Sequence, residues 1–234
     1  MCRTQRYSIP GLPSIYLGSS VYVCWEELDR PDKDEMQECK LLTKTNNYKI
    51  LDFAFRPSKI AEIIRYELDV FNPDESDSRT IYLNNVLSSR VTLWPLIAAC
   101  SIMVSDKNDS FKPEYIIPQL LLQWVRLKPD YKGIRYFSVM VDYSIQDYLC
   151  INYVFPAITY KQAGLCSNLM EMFKISETLT WKETSMYQHI DLGESSNSRF
   201  NIELIKGMKR GYHDTLFCRI EDVLDKMKTY DSNI

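Results

Sequence analysis

The sequence predicts an α+β fold in which mixed sheets are flanked by helices. Short runs rich in aromatic and β-branched residues, such as 134–141 and 149–155, are typical of strands. Longer apolar segments with helical spacing, such as 113–127, are typical of buried helices. The two kinds of element follow one another without a regular strand–helix–strand alternation, and this irregular order favours the mixed class.

The first half of the chain is predicted to begin with a proline-bearing loop and a short apolar strand. Ser20 is placed to cap a first helix, which the charged loop 29–34 would end. The following predicted elements are strands over 36–42 and 48–55, a helix from Pro57 with Ile60, Ile64 and Leu68 on one face, a polar loop over 72–79, and helices over 92–104 and 113–127. The wide apolar surface of the last helix predicts burial on several sides.

The second half is predicted to contain strands over 134–141, 149–155 and 172–181, a polar loop over 191–198, and a terminal amphipathic helix over 217–230. Side chains alternate across a strand, so Ile134, Tyr136, Ser138 and Met140 are expected on one face. A serine among large apolar neighbours on a buried face requires a polar partner, because an unpaired buried hydroxyl is costly.

Composition excludes several classes of function. The chain has 234 residues, 45% of them hydrophobic, and a net charge of −3, so it can bury a core but has no field that attracts a polyanion such as nucleic acid. Its seven cysteines include no CxxC pair and its histidines number two, which argues against a disulfide framework and against a metal centre. The sequence shows no signal-peptide pattern and no membrane-spanning run, so a soluble, cytoplasmic protein is expected, with neither nucleic acid nor membrane as a direct partner.

The first predicted helix carries two adjacent carboxylates at its end. If Ser20 caps the helix, Val21, Cys24, Trp25 and Leu28 share one buried stripe. At about 100° per residue, Glu26 is then expected opposite that stripe, and Glu27 at its margin. Glu27 is therefore the better candidate for work in a cleft, although both residues could simply be solvated carboxylates.

Three motifs in order resemble the RES domain family. The first is Arg6-Tyr7-Ser8-Ile9-Pro10-Gly11 followed by Ile15-Tyr16-Leu17-Gly18 and, eleven positions after Tyr16, Glu27. The second is Tyr115-Ile116-Ile117-Pro118-Gln119 followed by Gly133-Ile134-Arg135-Tyr136-Phe137-Ser138, and the third is Asn152-Tyr153-Val154-Phe155. The resemblance implies a fold related to ADP-ribosyltransferases, with a RES-like NAD-binding domain over residues 1–160 and a C-terminal extension, 161–234, packed on the same domain.

The resemblance also implies the chemistry of the site. RES domains are often toxins that destroy NAD by phosphorolysis or hydrolysis and are paired with a small helix-turn-helix antitoxin. Glu27 and Ser138 match the family's catalytic glutamate and serine. The expected NAD-binding residues are Tyr16, Arg6, Ser19 and Asn152, with Tyr16 in the place of the family's stacking tyrosine. NAD is expected as the substrate, without a metal.

One part of the pattern departs from the family. The family arginine lies in a first strand well upstream of the proline-glycine turn, whereas Arg6 directly precedes that turn. The fold is therefore expected to lack the family's first strand. Three explanations remain open: the amino terminus is truncated or misassigned, Arg3 or Arg6 has taken over the phosphate role, or the protein no longer turns over its substrate.

The sequence supports several functional hypotheses. The first is an enzyme that cleaves the nicotinamide–ribose bond of NAD and transfers ADP-ribose to phosphate or water. The second is a protein mono-ADP-ribosyltransferase, since the acceptor is chosen by loops around a site. The third is a catalytically silent domain that binds a nucleotide or an antitoxin-like partner, and the fourth is an α+β domain of another role.

Overall fold

A four-stranded mixed sheet carries most of the motif residues. The computed structural model of the chain describes residues 4–55, 78–106, 108–141, 147–159, 161–162, 164–186 and 201–231. Its strands are β1 (Ser14–Gly18), β2 (Gln37–Glu38), β3 (Leu41–Thr43), β4 (Lys49–Phe53), β5 (Tyr131–Phe137), β6 (Ile151–Pro156), β7 (Phe173–Ser176), β8 (Leu179–Thr180), β9 (Asn201–Ile205), β10 (Met208–Gly211) and β11 (Thr229–Asp231). The order in the main sheet is β1-β6-β5-β4, antiparallel except for the parallel pair β5–β4.

Smaller sheets connect the two halves of the chain. Strands β11, β7 and β3 form a three-stranded sheet, and β2 pairs with β8. Strands β9 and β10 form a separate hairpin. Two strands that follow residue 160 therefore hydrogen-bond to strands that precede it.

Six helices are described: α1 (Val21–Glu27), α2 (Ser78–Cys100), α3 (Ile116–Leu127), α4 (Ser167–Met172), α5 (Trp181–Met186) and α6 (Leu216–Lys226). Among the described residues, no helix has both the length and the apolar character needed to cross a bilayer.

The two faces of the main sheet are buried against different layers. Ile134 and Val154 lie on the face that packs with residues of α2 and α3, whereas Phe155 lies on the other face, against α4 and β7. A third core joins α1 to α6 beyond the end of the sheet, where Tyr22 contacts Phe217. Helix α1, which carries Glu27, therefore lies between the sheet and the C-terminal part of the chain.

The α+β class is confirmed, and several element boundaries differ from the prediction. The predicted strand 36–42 is two short strands, β2 and β3, because its ends pair with different partners. The predicted strand 172–181 is likewise divided into β7 and β8, which are separated by Glu177 and Thr178. Its first residue belongs to α4, which precedes β7, and its last residue belongs to α5, which follows β8. The predicted helix 217–230 ends at Lys226, and the chain then extends into β11.

The predictions for the two apolar helices also need correction. The helix predicted over 92–104 ends at Cys100, and its described part extends back to Ser78. Residues 78 and 79 of the predicted loop 72–79 are therefore helical, and the rest of that loop lies outside the described residues. Helix α3 is not buried on several sides: its outer face exposes Ile116, Ile117, Leu120, Trp124 and Leu127. The helix predicted from Pro57 and the loop predicted over 191–198 lie outside the described residues.

Candidate functional site

An open cleft of about 1350 Å³ lies at the edge of the main sheet. It is lined by β1, the end of α1, β3, the segment that follows β5, and part of α6. Of the residues predicted from sequence, the cleft lining includes Arg6, Tyr16, Ser19, Glu27 and Asn152. Ser138 lies directly beside it, hydrogen-bonded to Glu27.

The sheet register brings Asn152 and Ser138 to the same place. Asn152 on β6 lies between Gly18 of β1 and Tyr136 of β5. Ser138 follows the end of β5, where its amide donates to the carbonyl of Cys150 at 2.8 Å. Because alternate residues share a face, Tyr136 and Ser138 point toward the same side as Asn152.

The carboxylate of Glu27 meets these two side chains. Its Oε1 accepts a hydrogen bond from Ser138 Oγ at 2.6 Å and one from Asn152 Nδ2 at 2.7 Å. Ser138 and Asn152 are both buried, whereas Glu27 is exposed to the cleft. Since both bonds go to Oε1, Oε2 has no hydrogen-bond partner among the described residues. The buried serine hydroxyl thus has its polar partner, and the carboxylate keeps one oxygen for a ligand.

The predicted phase of α1 is wrong in part. The N-cap role of Ser20 is confirmed, since its Oγ accepts from the amide of Val23 at 3.0 Å. Leu28, expected in the buried stripe, is 63% exposed, and Glu26, expected in solvent, is 4% exposed. Arg30 causes this difference, because its guanidinium makes a two-point ion pair with the Glu26 carboxylate, through Nε at 2.9 Å and Nη2 at 3.0 Å.

A tight turn after α1 makes that ion pair possible. Asp29 and Arg30 both have left-handed backbone conformations, with φ of 65° and 56°. The turn folds the Arg30 side chain back over the last turn of the helix, and Arg30 Nη1 also donates to the carbonyl of Leu204. Paired in this way, Glu26 can be buried, which leaves Glu27 as the carboxylate that faces the cleft.

Gly18 allows α1 to approach β1 closely. A β-carbon at this position would lie 2.5 Å from Cys24 Sγ and 2.6 Å from Val23 Cγ1. No side chain fits at such distances unless the Cys24 and Val23 side chains, or the helix that carries them, shift. The glycine that ends β1 therefore sets how near Glu27 stands to the sheet.

Tyr16 lines the cleft and is anchored by its hydroxyl. The Oη atom accepts from the amide of Tyr7 at 3.1 Å and shares a hydrogen bond of 2.7 Å with Ser8 Oγ. Burial raises the pKa of Tyr16 to about 12, although its hydrogen bonds act in the opposite direction. The hydroxyl therefore stays protonated and holds the ring at the wall of the cleft.

Arg6 already binds the protein's own carbonyl groups. Its Nη1 donates to the carbonyl of Ile102 at 2.8 Å and to that of Cys100 at 3.3 Å. The guanidinium carbon also lies 5.2 Å from the centre of the Tyr115 ring. Arg6 thus holds the end of α2 against the amino-terminal loop, and it borders the cleft while doing so.

Ser19 and two cationic side chains also line the cleft. Ser19 is exposed, and its Oγ accepts from the amide of Ile151 at 3.1 Å. Lys40 and Lys112 also line the cleft, where each ammonium donates to a backbone carbonyl, that of Asp225 and that of Asp109 respectively. Sequence reasoning did not select either lysine, because neither belongs to one of the motifs.

Two further carboxylates at the cleft were also missed. Glu38 on β2 accepts from Trp181 Nε1 at 2.6 Å, while its Oε2 is buried without a partner among the described residues. Glu221 on α6 accepts from the amide of Val21 at 2.7 Å and from the hydroxyl of Tyr212. Burial raises the pKa of both carboxyl groups. A sequence offers no signal for either, since each depends on a partner far along the chain.

The described residues contain no group of three or more His, Cys, Asp and Glu side chains arranged to hold a metal ion. Burial raises the pKa of the Cys24 thiol, which lines the cleft, to about 11. A thiol in that state is mostly protonated near neutral pH and is a weak nucleophile. The other polar side chains that line the cleft are carboxylate, amide, hydroxyl and cationic groups, apart from the second thiol, Cys39.

Comparison with known proteins gives one similarity to report. The chain is 37% identical over 234 residues to a protein of Bacillus subtilis (strain 168) named "Putative toxin YopC"; the alignment covers 97% of this chain and 50% of that protein. The chain thus spans about half the length of the curated relative that it matches. No family model matches the chain. No solved structure matches it either.

Proposed function

We propose that this chain is a toxin-like enzyme that cleaves the nicotinamide–ribose bond of NAD and transfers ADP-ribose to phosphate or water. The observation that carries the proposal is the Glu27 carboxylate, held through one oxygen by Ser138 and Asn152 in an open cleft. The similarity to a protein named as a toxin supports the biological class. The resemblance of the motifs around the same three residues to RES domains supports NAD as the substrate.

A fixed carboxylate suits this chemistry. As nicotinamide leaves with the electron pair of the glycosidic bond, positive charge develops on the ribose, and a nearby anion stabilises that charge. Hydrogen bonds from Ser138 and Asn152 orient Glu27 before the substrate arrives, and the free Oε2 can accept from a ribose hydroxyl. Water or phosphate then attacks the sugar carbon, and the proton that it loses passes to solvent or to a carboxylate.

The neighbouring side chains suit the rest of the ligand. The Tyr16 ring, anchored at its hydroxyl, offers a flat apolar surface on which a nicotinamide ring can stack. The exposed Ser19 hydroxyl can donate to the amide or to the ribose. The cationic side chains that line the cleft are Arg6, Lys40 and Lys112, and these would bind the pyrophosphate.

A second candidate function is a domain that binds a nucleotide or a partner protein without turnover. The engagement of Arg6 with the carbonyls of Cys100 and Ile102 favours it, because a guanidinium occupied in that way has fewer donors left for phosphate. A small helix-turn-helix partner, expected from the resemblance, remains a prediction under both functions.

The decisive experiment measures nicotinamide release from NAD, with and without inorganic phosphate. We expect release by the wild-type chain and a loss of about 100-fold or more in Glu27→Gln, which keeps the shape and removes the charge. Phosphate dependence would identify a phosphorylase, and equal rates without phosphate a hydrolase. No release despite NAD binding would favour the non-catalytic function. Neither release nor binding would overturn the enzyme and the NAD-binding domain alike, and would leave binding of a partner protein as the remaining form of the second function.

The matched control is Glu35→Gln, because Glu35 is an exposed carboxylate with no side-chain hydrogen bond among the described residues. Glu26→Ala is not a neutral control, since it removes the buried partner of Arg30 at the end of the same helix. Expression of each variant in bacteria, with NAD content and growth as readouts, tests the toxin-like role. Glu27→Gln should relieve a growth defect that Glu35→Gln retains.

A further inference from the structure

Helix α1 is held at its amino-terminal end by a residue from the other end of the chain. Glu221 Oε1 accepts the amide hydrogen of Val21, the first residue of α1, at 2.7 Å, across 200 positions of sequence. The Tyr212 hydroxyl donates to the same oxygen and so helps to hold the carboxylate in place. The first amide groups of a helix have no partner within the helix, so the Glu221 carboxylate supplies one that α1 would otherwise lack.

The same C-terminal segment also contacts α1 elsewhere. Phe217 packs on Tyr22 and on Trp25, with a ring-centre distance of 5.4 Å in each pair. At the other end of the helix, Arg30 donates to the carbonyl of Leu204 while it holds Glu26. Residues 204–221 therefore contact both ends and one side of the helix that ends in Glu27.

A short helix transmits any movement of its first residue to its last. Seven residues span only about 10 Å, so a tilt of about 10° at Val21 moves the other end by roughly 2 Å. The bonds from Ser138 and Asn152 to Glu27 tolerate far less than that, because hydrogen bonds weaken beyond about 3.2 Å. A misplacement of about 1 Å can reduce a rate about 100-fold.

We infer that Glu221 is a positioning residue for Glu27, and that the C-terminal segment is thereby part of the candidate active site and not an accessory to it. Glu221 acts through α1: its bond to Val21 fixes the helix, and the helix holds the Glu27 carboxylate against Ser138 and Asn152. The catalytic consequence rests on the proposed function, whereas the mechanical link can be measured without NAD.

The mechanical link is tested by amide hydrogen exchange of a peptide covering residues 19–28. Glu221→Ala should raise exchange in this peptide about 10-fold or more, while Glu221→Gln, whose amide oxygen can accept the same hydrogen bonds, should stay close to wild type. Asp222→Ala is the matched control, since it removes an equal charge from the next position of α6, and Asp222 has no side-chain hydrogen bond among the described residues. Unchanged exchange in Glu221→Ala would overturn the inference.

The catalytic link is tested by nicotinamide release. Glu221→Ala should lower kcat about 10- to 100-fold with KM for NAD changed by less than about 2-fold, and Glu221→Gln should restore most of kcat. In a Glu27→Gln background, Glu221→Ala should add little further loss. A full additional loss in that background, or equal losses in Glu221→Ala and Asp222→Ala, would show that Glu221 does not act through Glu27.

The two tests separate the failure of this inference from the failure of the proposed function. If the wild-type chain releases no nicotinamide, the proposed function fails, and the exchange measurements still decide whether Glu221 holds α1. If Glu221→Ala does not fold, Tyr212→Phe replaces it, because that variant removes one of the two bonds to the carboxylate and leaves the other. We expect it to show a smaller change of the same kind, and no change in exchange would contradict the inference.

Discussion

Asn152 Nδ2 donates to Glu27 Oε1 at 2.7 Å although 125 positions separate the two residues. The bond joins the central region of the main sheet to the end of its first helix. Ser138, 111 positions from Glu27, donates to the same oxygen. The candidate site is therefore a carboxylate fixed by two donors, one on β6 and one directly after β5, and each donor can be removed separately.

Removal of the two donors should show that they act as a unit. Ser138→Ala or Asn152→Ala leaves one bond to Glu27, and we expect either to lower kcat for nicotinamide release about 10- to 100-fold. The double variant should lose much less than the product of the two single losses, because both act on one oxygen. Steady-state kinetics of wild type, the two single variants and the double variant provide the measurement. If the loss of kcat in the double variant equals the product of the two single losses, a shared role is contradicted.

Gly18→Ala should disturb the site without touching a polar group. The added methyl would lie 2.5 Å from Cys24 Sγ, so the side chains of α1 that face β1, or α1 itself, must shift. Overpacking of this kind costs about 1–3 kcal/mol of unfolding free energy. Denaturant unfolding measures the cost, and Gly11→Ala, where the added carbon meets no atom within 4 Å but the φ of 86° is unfavourable, separates crowding from backbone strain. Only Gly18→Ala should also reduce nicotinamide release by a native, folded protein.

Tyr16 should show separate contributions from its ring and its hydroxyl. Tyr16→Phe loses the bonds to Tyr7 and Ser8, which should cost about 1 kcal/mol of stability, but keeps the aromatic surface. Tyr16→Leu loses the aromatic surface as well and should raise KM for NAD several-fold beyond the effect of Tyr16→Phe. Thermal unfolding together with steady-state kinetics distinguishes the two contributions. Equal KM values in the two variants would remove Tyr16 from the binding surface.

Glu38 should make the chain's stability depend on pH. Burial raises its pKa in the folded state above the value of about 4.3 expected when unfolded. The stability contributed by such a group is fully present below the unfolded pKa and is lost as pH rises through the folded pKa. The unfolding free energy of wild type relative to Glu38→Gln should therefore decrease over the pH range that begins near the unfolded pKa of about 4.3 and extends upward from it. Denaturant unfolding across that range measures it, and a flat or rising difference would contradict the assigned direction; Glu35→Gln is the exposed control.

Local sequence signals predicted the strands and the helix that carry the site better than they predicted the contacts that set its geometry. Alternation along the strand predicted that Tyr136 and Ser138 share a face, and Ser20 was correctly predicted as a helix cap. The helical phase did not predict that Glu26 is buried, because its burial depends on Arg30 folding back through two left-handed residues. Helix periodicity ignores a residue beyond the helix end, so the apolar Leu28 was expected inside and the charged Glu26 outside.

Long-range pairing accounts for the rest of the difference. Strand β3 pairs with β7 more than 100 positions later, and no local pattern in Leu41–Thr43 indicates that partner. The pairing divides one predicted strand into two and forms a wall of the cleft. Glu221 was missed for the same reason, since the helix that contains it has an ordinary amphipathic pattern and its role depends on the distant Val21. Catalytic roles for Glu27 and Ser138, and NAD-binding roles for Tyr16, Arg6, Ser19 and Asn152, remain predictions for the experiments above.

The contact between Glu221 and Val21 also sets the order of events during synthesis. Glu27 leaves the ribosome about 200 residues before its helix can be fixed by Glu221, because sequence separation delays the contact that completes the structure. A nascent chain that stops short of Glu221 carries every motif from Arg6 to Asn152, but the first amide of α1 lacks the partner that Glu221 supplies. If the proposed NAD cleavage is correct, a product that stops before Glu221 should therefore cleave NAD more slowly than one that includes it.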